Sequence, residues 1–189
     1  MAIKKKKSFL SVLVAAAVIS ACVTILLTPI LKLVYPLSYG DVIEKSAGEY
    51  GLDSTLVMGI ISAESNFDST ARSNKDAHGL MQLKDETALW CVENLSVGVS
   101  QEDIRKPEAN IRIGCAYIRY LIDLYGGNTH TAIAAYNAGL GNVNKWLSDT
   151  RYSDGGTALH TIPFSETEAY VEKVERRSII YQRLYKGEK

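Results

Sequence analysis

Apolar residues form one unbroken run near the start of the chain and recur at helical spacing after it. Residues 8–31 contain no charged side chain and follow the lysines Lys4 to Lys7. At about 1.5 Å per residue, a helix of this length reaches roughly 36 Å, enough to cross the hydrocarbon core of a bilayer. Because the cations precede the apolar run, the positive-inside rule places the N-terminus in the cytoplasm and the chain after Lys32 outside. The pattern predicts one N-terminal transmembrane helix.

Two processing events compete with this uncleaved signal anchor. A cleavable signal peptide usually has an apolar region of only about 7–15 residues. The stretch 18–22 looks like a lipoprotein cleavage box with Cys22 as the lipidated residue, but cleavage there would leave the apolar segment 23–31 at the mature N-terminus. The length therefore favours the uncleaved anchor. We expect a basic tip and signal anchor at residues 1–35, a short tether at 36–40 and an extracytoplasmic domain at 41–189.

Beyond the tether, the periodicity is that of amphipathic helices. Apolar side chains recur every three or four positions, and Gly and Asx or Ser residues stand at the predicted ends. A capping box at Ser165 and Glu168 begins the last helix. Strand signals are almost absent, apart from one short extended piece near 79–83. The pattern predicts a mainly α single domain with at most a very small β element, its helices at 41–50, 54–64, 84–93, 107–125, 129–138, 142–147 and 165–185.

Charge and cysteine content narrow the function classes. Of 21 Lys and Arg and 21 Asp and Glu, five Lys and no acids lie in 1–36, so the remainder carries a net charge of −5. No basic patch indicates nucleic acid, and no HExxH or CxxC spacing indicates zinc. Cys91 and Cys115 form an even pair, for which a disulfide and two buried free thiols both fit the spacing. Compartment and parity lead us to expect the disulfide.

Glu64 is the candidate for acid–base chemistry. It ends an apolar helical stretch, and on a 3.6-residue period it stacks with Leu56 and Ile60 on one face. Partial burial and the negative end of the helix dipole both disfavour the charged carboxylate. Both effects raise the pKa of Glu64 toward the range in which a carboxylic acid donates a proton at neutral pH.

Three further segments contain groups suited to a sugar site, where aromatic faces, amides and a proton donor are needed. The segments are Gly79-Leu80-Met81-Gln82, Ala135-Tyr136-Asn137-Ala138-Gly139 and Ile162-Pro163-Phe164-x-Glu166-Thr167-x-x-Tyr170-Val171. Together with Glu64-Ser65-x-Phe67 and the run 110–114, they resemble the lytic transglycosylase domain of soluble-lytic-transglycosylase type, which is related in fold to goose-type lysozyme. The resemblance extends from Asp41 to about Tyr185.

This resemblance implies a lysozyme-like fold and a peptidoglycan substrate, cleaved at the β-1,4 bond between N-acetylmuramic acid and N-acetylglucosamine without metal or cofactor. Glu64 would be the sole catalytic acid and base. The implied substrate-binding residues are Ser65, Met81, Gln82, Tyr136 and Asn137 in the groove, with Glu166 and Tyr170 as supporting polar contacts from the last helix.

The chain departs from the family pattern beside the site, and two rival functions stay open. Ser69 stands where a Pro is common, Asp76 where a Gly is usual, 84–86 differ from the usual Met-Pro run, and Glu168 replaces an Arg. These departures affect loop geometry and substrate preference more than the proton donor. The rivals are a lysozyme-like hydrolase on the same fold and a non-catalytic wall-binding module.

Overall fold

The computed structural model describes residues 14–16, 18–19, 22 and 25–186, and the chain divides into two units, Met1–Pro36 and Leu37–Lys189. In the first unit, residues 25–34 are helical. Within the described residues no helix combines the length and the apolar character needed to cross a bilayer. The basic tip and much of the expected membrane segment, including 8–13, lie outside the described residues.

The regular structure of the second unit, between residues 40 and 186, is almost entirely helical. Two short strands, β1 (Ala77–His78) and β2 (Leu83–Lys84), pair antiparallel, with Ala77 opposite Lys84 and His78 opposite Leu83. These strands flank the segment 79–82, which forms the turn between them and is not the extended piece expected there. The mainly α prediction with a very small β element is therefore confirmed. The helices are α1 (Gly40–Glu49), α2 (Ser54–Ser65), α3 (Asp85–Asn94), a 3₁₀ turn (Gln101–Asp103), α4 (Pro107–Leu124), α5 (Thr129–Ala138), α6 (Leu140–Leu147), α7 (Ser165–Tyr181) and a π-helical turn (Gln182–Lys186).

Side-chain caps begin two of the helices as the sequence predicts. The Asp53 carboxylate accepts a hydrogen bond from the Thr55 amide at 2.9 Å, and the Asn128 side chain accepts one from the Thr131 amide at 2.8 Å. The capping box at Ser165 is wrong. The extended backbone of Phe164 makes Phe164 the N-cap, so Ser165 is already helical and makes no capping hydrogen bond.

The centre of the domain is the packing of α2 against α7. The apolar residues of α2 are buried around nearly its whole circumference, as with Val57, Ile60 and Ile61. Close approach of the two helices requires Gly59, because a Cβ there would lie 2.9 Å from the Val174 carbonyl oxygen and 3.0 Å from the Ser178 amide nitrogen. This contact fixes the last turn of α2 relative to the side chains of α7.

The expected disulfide is wrong. Cys91 on α3 and Cys115 on α4 are both free and buried. Burial raises the pKa of each thiol to about 12, so both stay protonated at neutral pH. Compartment and parity permit a disulfide but do not bring two Cα atoms to bonding geometry, and a buried thiol packs as a small apolar side chain.

Candidate active site

Glu64 lies in the last turn of α2 and faces a cavity of about 760 Å³. The helix ends directly after it, since Asn66 and Phe67 both adopt left-handed backbone conformations with φ of 50° and 66°. This sharp exit turns the chain away and leaves the half-buried Glu64 side chain at the cavity wall. The apolar sequence of α2 thus carries one acidic group to an internal surface.

Two side chains of α7, Tyr170 and Lys173, act on the Glu64 carboxyl group. The Tyr170 hydroxyl donates a hydrogen bond of 2.6 Å to Glu64 Oε1, and Lys173 Nζ donates one of 2.7 Å to the Ala63 carbonyl oxygen. Burial raises the pKa of Glu64 to about 7, although the Tyr170 hydrogen bond and the Lys173 charge both lower it. A carboxyl group with this pKa can donate a proton and accept one at neutral pH.

Asn110 on α4 holds the turn between the strands through two hydrogen bonds. The Asn110 side chain, only 2% exposed, accepts a hydrogen bond of 2.8 Å from the Met81 amide and donates one of 3.1 Å to the His78 carbonyl oxygen. Gly79 has φ of 75°, and a Cβ there would lie 3.1 Å from the Asn110 side chain. Asn110 therefore sets the position of this turn.

The structure brings five of the predicted site residues into the cavity lining, and three lie behind it. The lining residues are Glu64, Gln82, Tyr136, Asn137 and Glu166. The others, Ser65, Met81 and Tyr170, make contacts that hold the lining in place.

The three residues behind the cavity each connect two elements. The Ser65 hydroxyl donates to the Leu80 carbonyl oxygen at 2.8 Å, which joins the end of α2 to the turn. Met81 is fully buried, and its carbonyl oxygen accepts a hydrogen bond of 2.8 Å from the Tyr136 hydroxyl. Tyr170 is buried and joins α7 to Glu64. These contacts restrict the positions of the groups that face the cavity.

Two of the amide side chains in the lining, those of Gln82 and Asn137, are also held by hydrogen bonds. Gln82 Nε2 donates to the Ala71 and Gly79 carbonyl oxygens at 3.0 and 2.9 Å. Asn137 Oδ1 accepts a hydrogen bond of 2.8 Å from the Thr167 hydroxyl, which joins α5 to α7. Amides held in this way can orient the hydroxyl and acetamido groups of a ligand with little loss of side-chain entropy.

Glu166 differs from Glu64 in its surroundings. Its side chain is 78% exposed, and its carboxylate lies 3.8 Å from Lys75 Nζ, also an exposed group of the lining. An exposed ion pair of this kind contributes at most about 1 kcal/mol to stability. Glu64, by contrast, is half-buried, and burial raises its pKa to about 7.

Several lining residues lie outside the motifs, and the sequence does not predict them as site residues. Trp90 of α3, Tyr117 of α4 and Leu140 of α6 form much of the apolar wall. Asn110 lies in the family-like run 110–114 with no expected role, and the only sequence signal for its burial is its place beside apolar Ile111 and Ile113. Within the described part of the chain, no group of three or more His, Cys, Asp or Glu side chains could hold a metal ion.

The raised pKa of Glu64 predicts a stability gain for Glu64→Gln that depends on pH. Between its ordinary value of 4.5 and its folded value of about 7, the folded state binds more protons at this site than the unfolded state, so stability falls as pH rises through that window. Gln lacks this penalty. We expect the variant to be more stable than the wild type by up to about 3 kcal/mol at pH 8 and by little at pH 4. Denaturant unfolding at both pH values measures the difference, and an equal gain at the two would contradict it.

Comparison with known proteins identifies the domain. Residues 41–157 match the family model "Transglycosylase SLT domain". The "Soluble lytic murein transglycosylase" of Escherichia coli K12 is 34% identical over 158 residues, covering 82% of this chain and 24% of the relative. The "Membrane-bound lytic murein transglycosylase C" of Edwardsiella ictaluri is 31% identical, covering 77% of this chain and 47% of the relative. The chain thus spans about a quarter of the length of the first relatives it matches.

Solved structures agree with the sequence relatives. The 70 kDa soluble lytic transglycosylase of Escherichia coli superimposes with a TM-score of 0.72 at 33% identity, covering 81% of this chain and 25% of that one. An inactive Glu-to-Gln mutant of the lytic transglycosylase Slt from Pseudomonas aeruginosa gives a TM-score of 0.71 at 36% identity, covering 81% and 25%. The matched family model, the sequence relatives and the fold agree, and the chain belongs to the transglycosylase SLT domain family.

Proposed function

We propose that this chain is a peptidoglycan lytic transglycosylase. It cleaves the β-1,4 bond between N-acetylmuramic acid and N-acetylglucosamine and leaves a 1,6-anhydromuramoyl end. The observation that carries the proposal is the half-buried Glu64 carboxyl, with a pKa of about 7, facing a cavity in a domain of this family. The names of the relatives, including an inactive Glu-to-Gln mutant, support it.

In the first step, protonated Glu64 acts as general acid. It gives its proton to the glycosidic oxygen as the bond from that oxygen to the anomeric carbon breaks. The carbonyl oxygen of the substrate's own N-acetyl group stabilises the anomeric carbon. This assistance replaces the second enzyme carboxylate that most glycosidases use. Glu86 and Glu166, which also line the cavity, are exposed side chains and are not desolvated as Glu64 is.

In the second step, the Glu64 carboxylate acts as general base. It removes the proton from the 6-hydroxyl of the muramoyl residue, whose oxygen then bonds to the anomeric carbon and closes the anhydro ring. Glu64 regains its proton, so the cycle balances without water or cofactor. The Tyr170 hydrogen bond of 2.6 Å stabilises the carboxylate between the two steps and holds its orientation.

The remaining predicted residues position the substrate. Gln82 and Asn137 present fixed amides to the acetamido and hydroxyl groups, and Tyr136 forms part of the wall beside them. Ser65 and Met81 act indirectly, through the turn and through the Tyr136 hydroxyl. Holding the reacting atoms near attack distance is the main service these residues supply.

Digestion of purified peptidoglycan with the full chain in detergent tests the proposal. A transglycosylase releases muropeptides that are one water lighter than hydrolysis products and have no reducing end. Products with reducing ends would establish the lysozyme-like hydrolase. Binding without any release would establish the wall-binding module.

Residues 1–35 are proposed to anchor the protein in the cytoplasmic membrane, with the domain outside. The support is the uncharged run 8–31 behind four lysines and the relative named as membrane-bound. We expect intact-mass measurement of membrane-extracted protein to show that residues 1–36 are retained. A mature chain that begins at Cys22 with added acyl mass would show a lipoprotein instead, and a shorter soluble chain would show signal-peptide cleavage.

A further inference from the structure

Trp90 lines the cavity but belongs to none of the motifs. It belongs to α3 and is half-buried, and its ring forms an edge-to-face pair with the ring of Tyr120 on α4, with the ring centroids 5.0 Å apart and the planes at 61°. Trp146, the other tryptophan of the chain, is 6% exposed, packs against Phe164 and lies outside the cavity lining. Trp146 has the surroundings of a core residue, whereas Trp90 has a surface open to the cavity.

Trp90 and Glu64 lie on different walls of the cavity. The helix of Trp90 packs against α4 and β2, while the helix of Glu64 packs against α7 and α1. A cavity of about 760 Å³ falls within the roughly 300–1,000 Å³ of pockets that enclose drug-sized molecules. A disaccharide is of this size, so one sugar can lie at Glu64 while another lies against the wall formed by α3.

The chemistry of an indole fits a pyranose ring. An aromatic face offers apolar area at little cost in side-chain entropy, and it matches the C–H face of a sugar while the sugar hydroxyls stay accessible to polar groups. Lys84, Glu86 and Thr87 of the adjoining β2–α3 segment also line the cavity and can bond such hydroxyls. The edge contact with Tyr120 limits the tilt of the indole, so its face has a set orientation.

We propose that Trp90 is a sugar-binding platform, a subsite for a β-1,4-linked N-acetylhexosamine of the glycan strand on the cavity wall formed by α3. The inference rests on the proposed function in one respect, namely that the ligand of the cavity is a glycan. It adds a residue outside the family motifs that determines how the strand is held.

Intrinsic fluorescence tests the subsite because the chain has two tryptophans. The full chain in detergent, with Glu64→Gln to prevent cleavage and Trp146→Phe to leave Trp90 as the single indole, is titrated with chitotetraose. We expect the emission of Trp90 to change on saturation. Trp90→Ala is expected to raise the Kd, measured by calorimetry, about tenfold. Trp90→Phe should restore most of the affinity, and Trp146→Phe should leave it unchanged.

The outcomes separate the subsite from the proposed function. Chitotetraose binding with unchanged Trp90 emission, an unaltered Kd in folded Trp90→Ala, or no binding at all would overturn the subsite. If Trp90→Ala does not fold, Trp90→Phe and the emission change still decide the question. A Trp90 signal in a chain that releases no muropeptides would leave the subsite standing and remove the transglycosylase function, whereas release with a silent Trp90 would do the reverse.

Discussion

Glu64→Gln is expected to lower the rate of peptidoglycan cleavage by about 10²–10⁴-fold, the usual contribution of a positioned proton-transfer group. Gln keeps the shape of the side chain and can still accept the Tyr170 hydrogen bond, but it has no proton to give. We therefore expect folding and glycan binding to persist. Release of soluble muropeptides measures the rate, and calorimetric titration with chitotetraose measures the binding.

The matched control is Glu102→Gln, which makes the same substitution at an exposed position outside the cavity lining. It should cleave peptidoglycan at the wild-type rate. Retention of wild-type activity in Glu64→Gln would remove this residue from the mechanism and favour another acid. Loss of both cleavage and binding would mean that the substitution had disturbed the cavity itself.

Gly59→Ala is expected to destabilise the domain by about 1–3 kcal/mol, the typical cost of inserting a methyl group into a packed interface. The neighbours of the added Cβ would be the backbone of α7 at 2.9 and 3.0 Å, which cannot move away as a flexible side chain can. The helices must separate, and the hydrogen bond from Tyr170 to Glu64 lengthens with them. Activity should fall together with stability.

Gly48→Ala is the matched control for that prediction. Gly48 lies within α1, and nothing lies within 4 Å of a Cβ built on it. Helix propensity alone should make Gly48→Ala more stable by about 0.5–1 kcal/mol. Denaturant unfolding of both variants measures the contrast. A stabilising effect of the same size at Gly59 would show that α2 and α7 are not closely packed there.

Local features of the sequence predicted much of the fold. Helix positions followed from 3.6-residue periodicity, and Asp53 and Asn128 begin α2 and α5 because a short polar side chain satisfies free amides at a helix start. The local sequence also predicts Glu64 as the catalytic candidate, because a carboxyl group on an apolar stripe loses water once the stripe is buried. Its raised pKa follows from that burial.

Features that depend on distant contacts could not be predicted. Asn110 bonds Met81 and His78 from 29 and 32 residues away, and Lys173 reaches Ala63 across 110 residues. Trp90 lines the cavity because α3 packs against α4, a contact that the local sequence does not indicate. The disulfide prediction failed on the same ground, because the pairing of two thiols depends on how the helices pack and not on their number or compartment.

The central claim is that the substrate's own 6-hydroxyl, deprotonated by Glu64, closes the anhydro ring. Isotope incorporation tests this claim most directly. Peptidoglycan is digested by the full wild-type chain in water enriched in heavy oxygen, and the released muropeptides are weighed. A transglycosylase takes no oxygen from water, so we predict anhydro-ended muropeptides of unlabelled mass. Reducing-end products that carry one heavy oxygen would show that water attacks the anomeric carbon, and they would contradict the account.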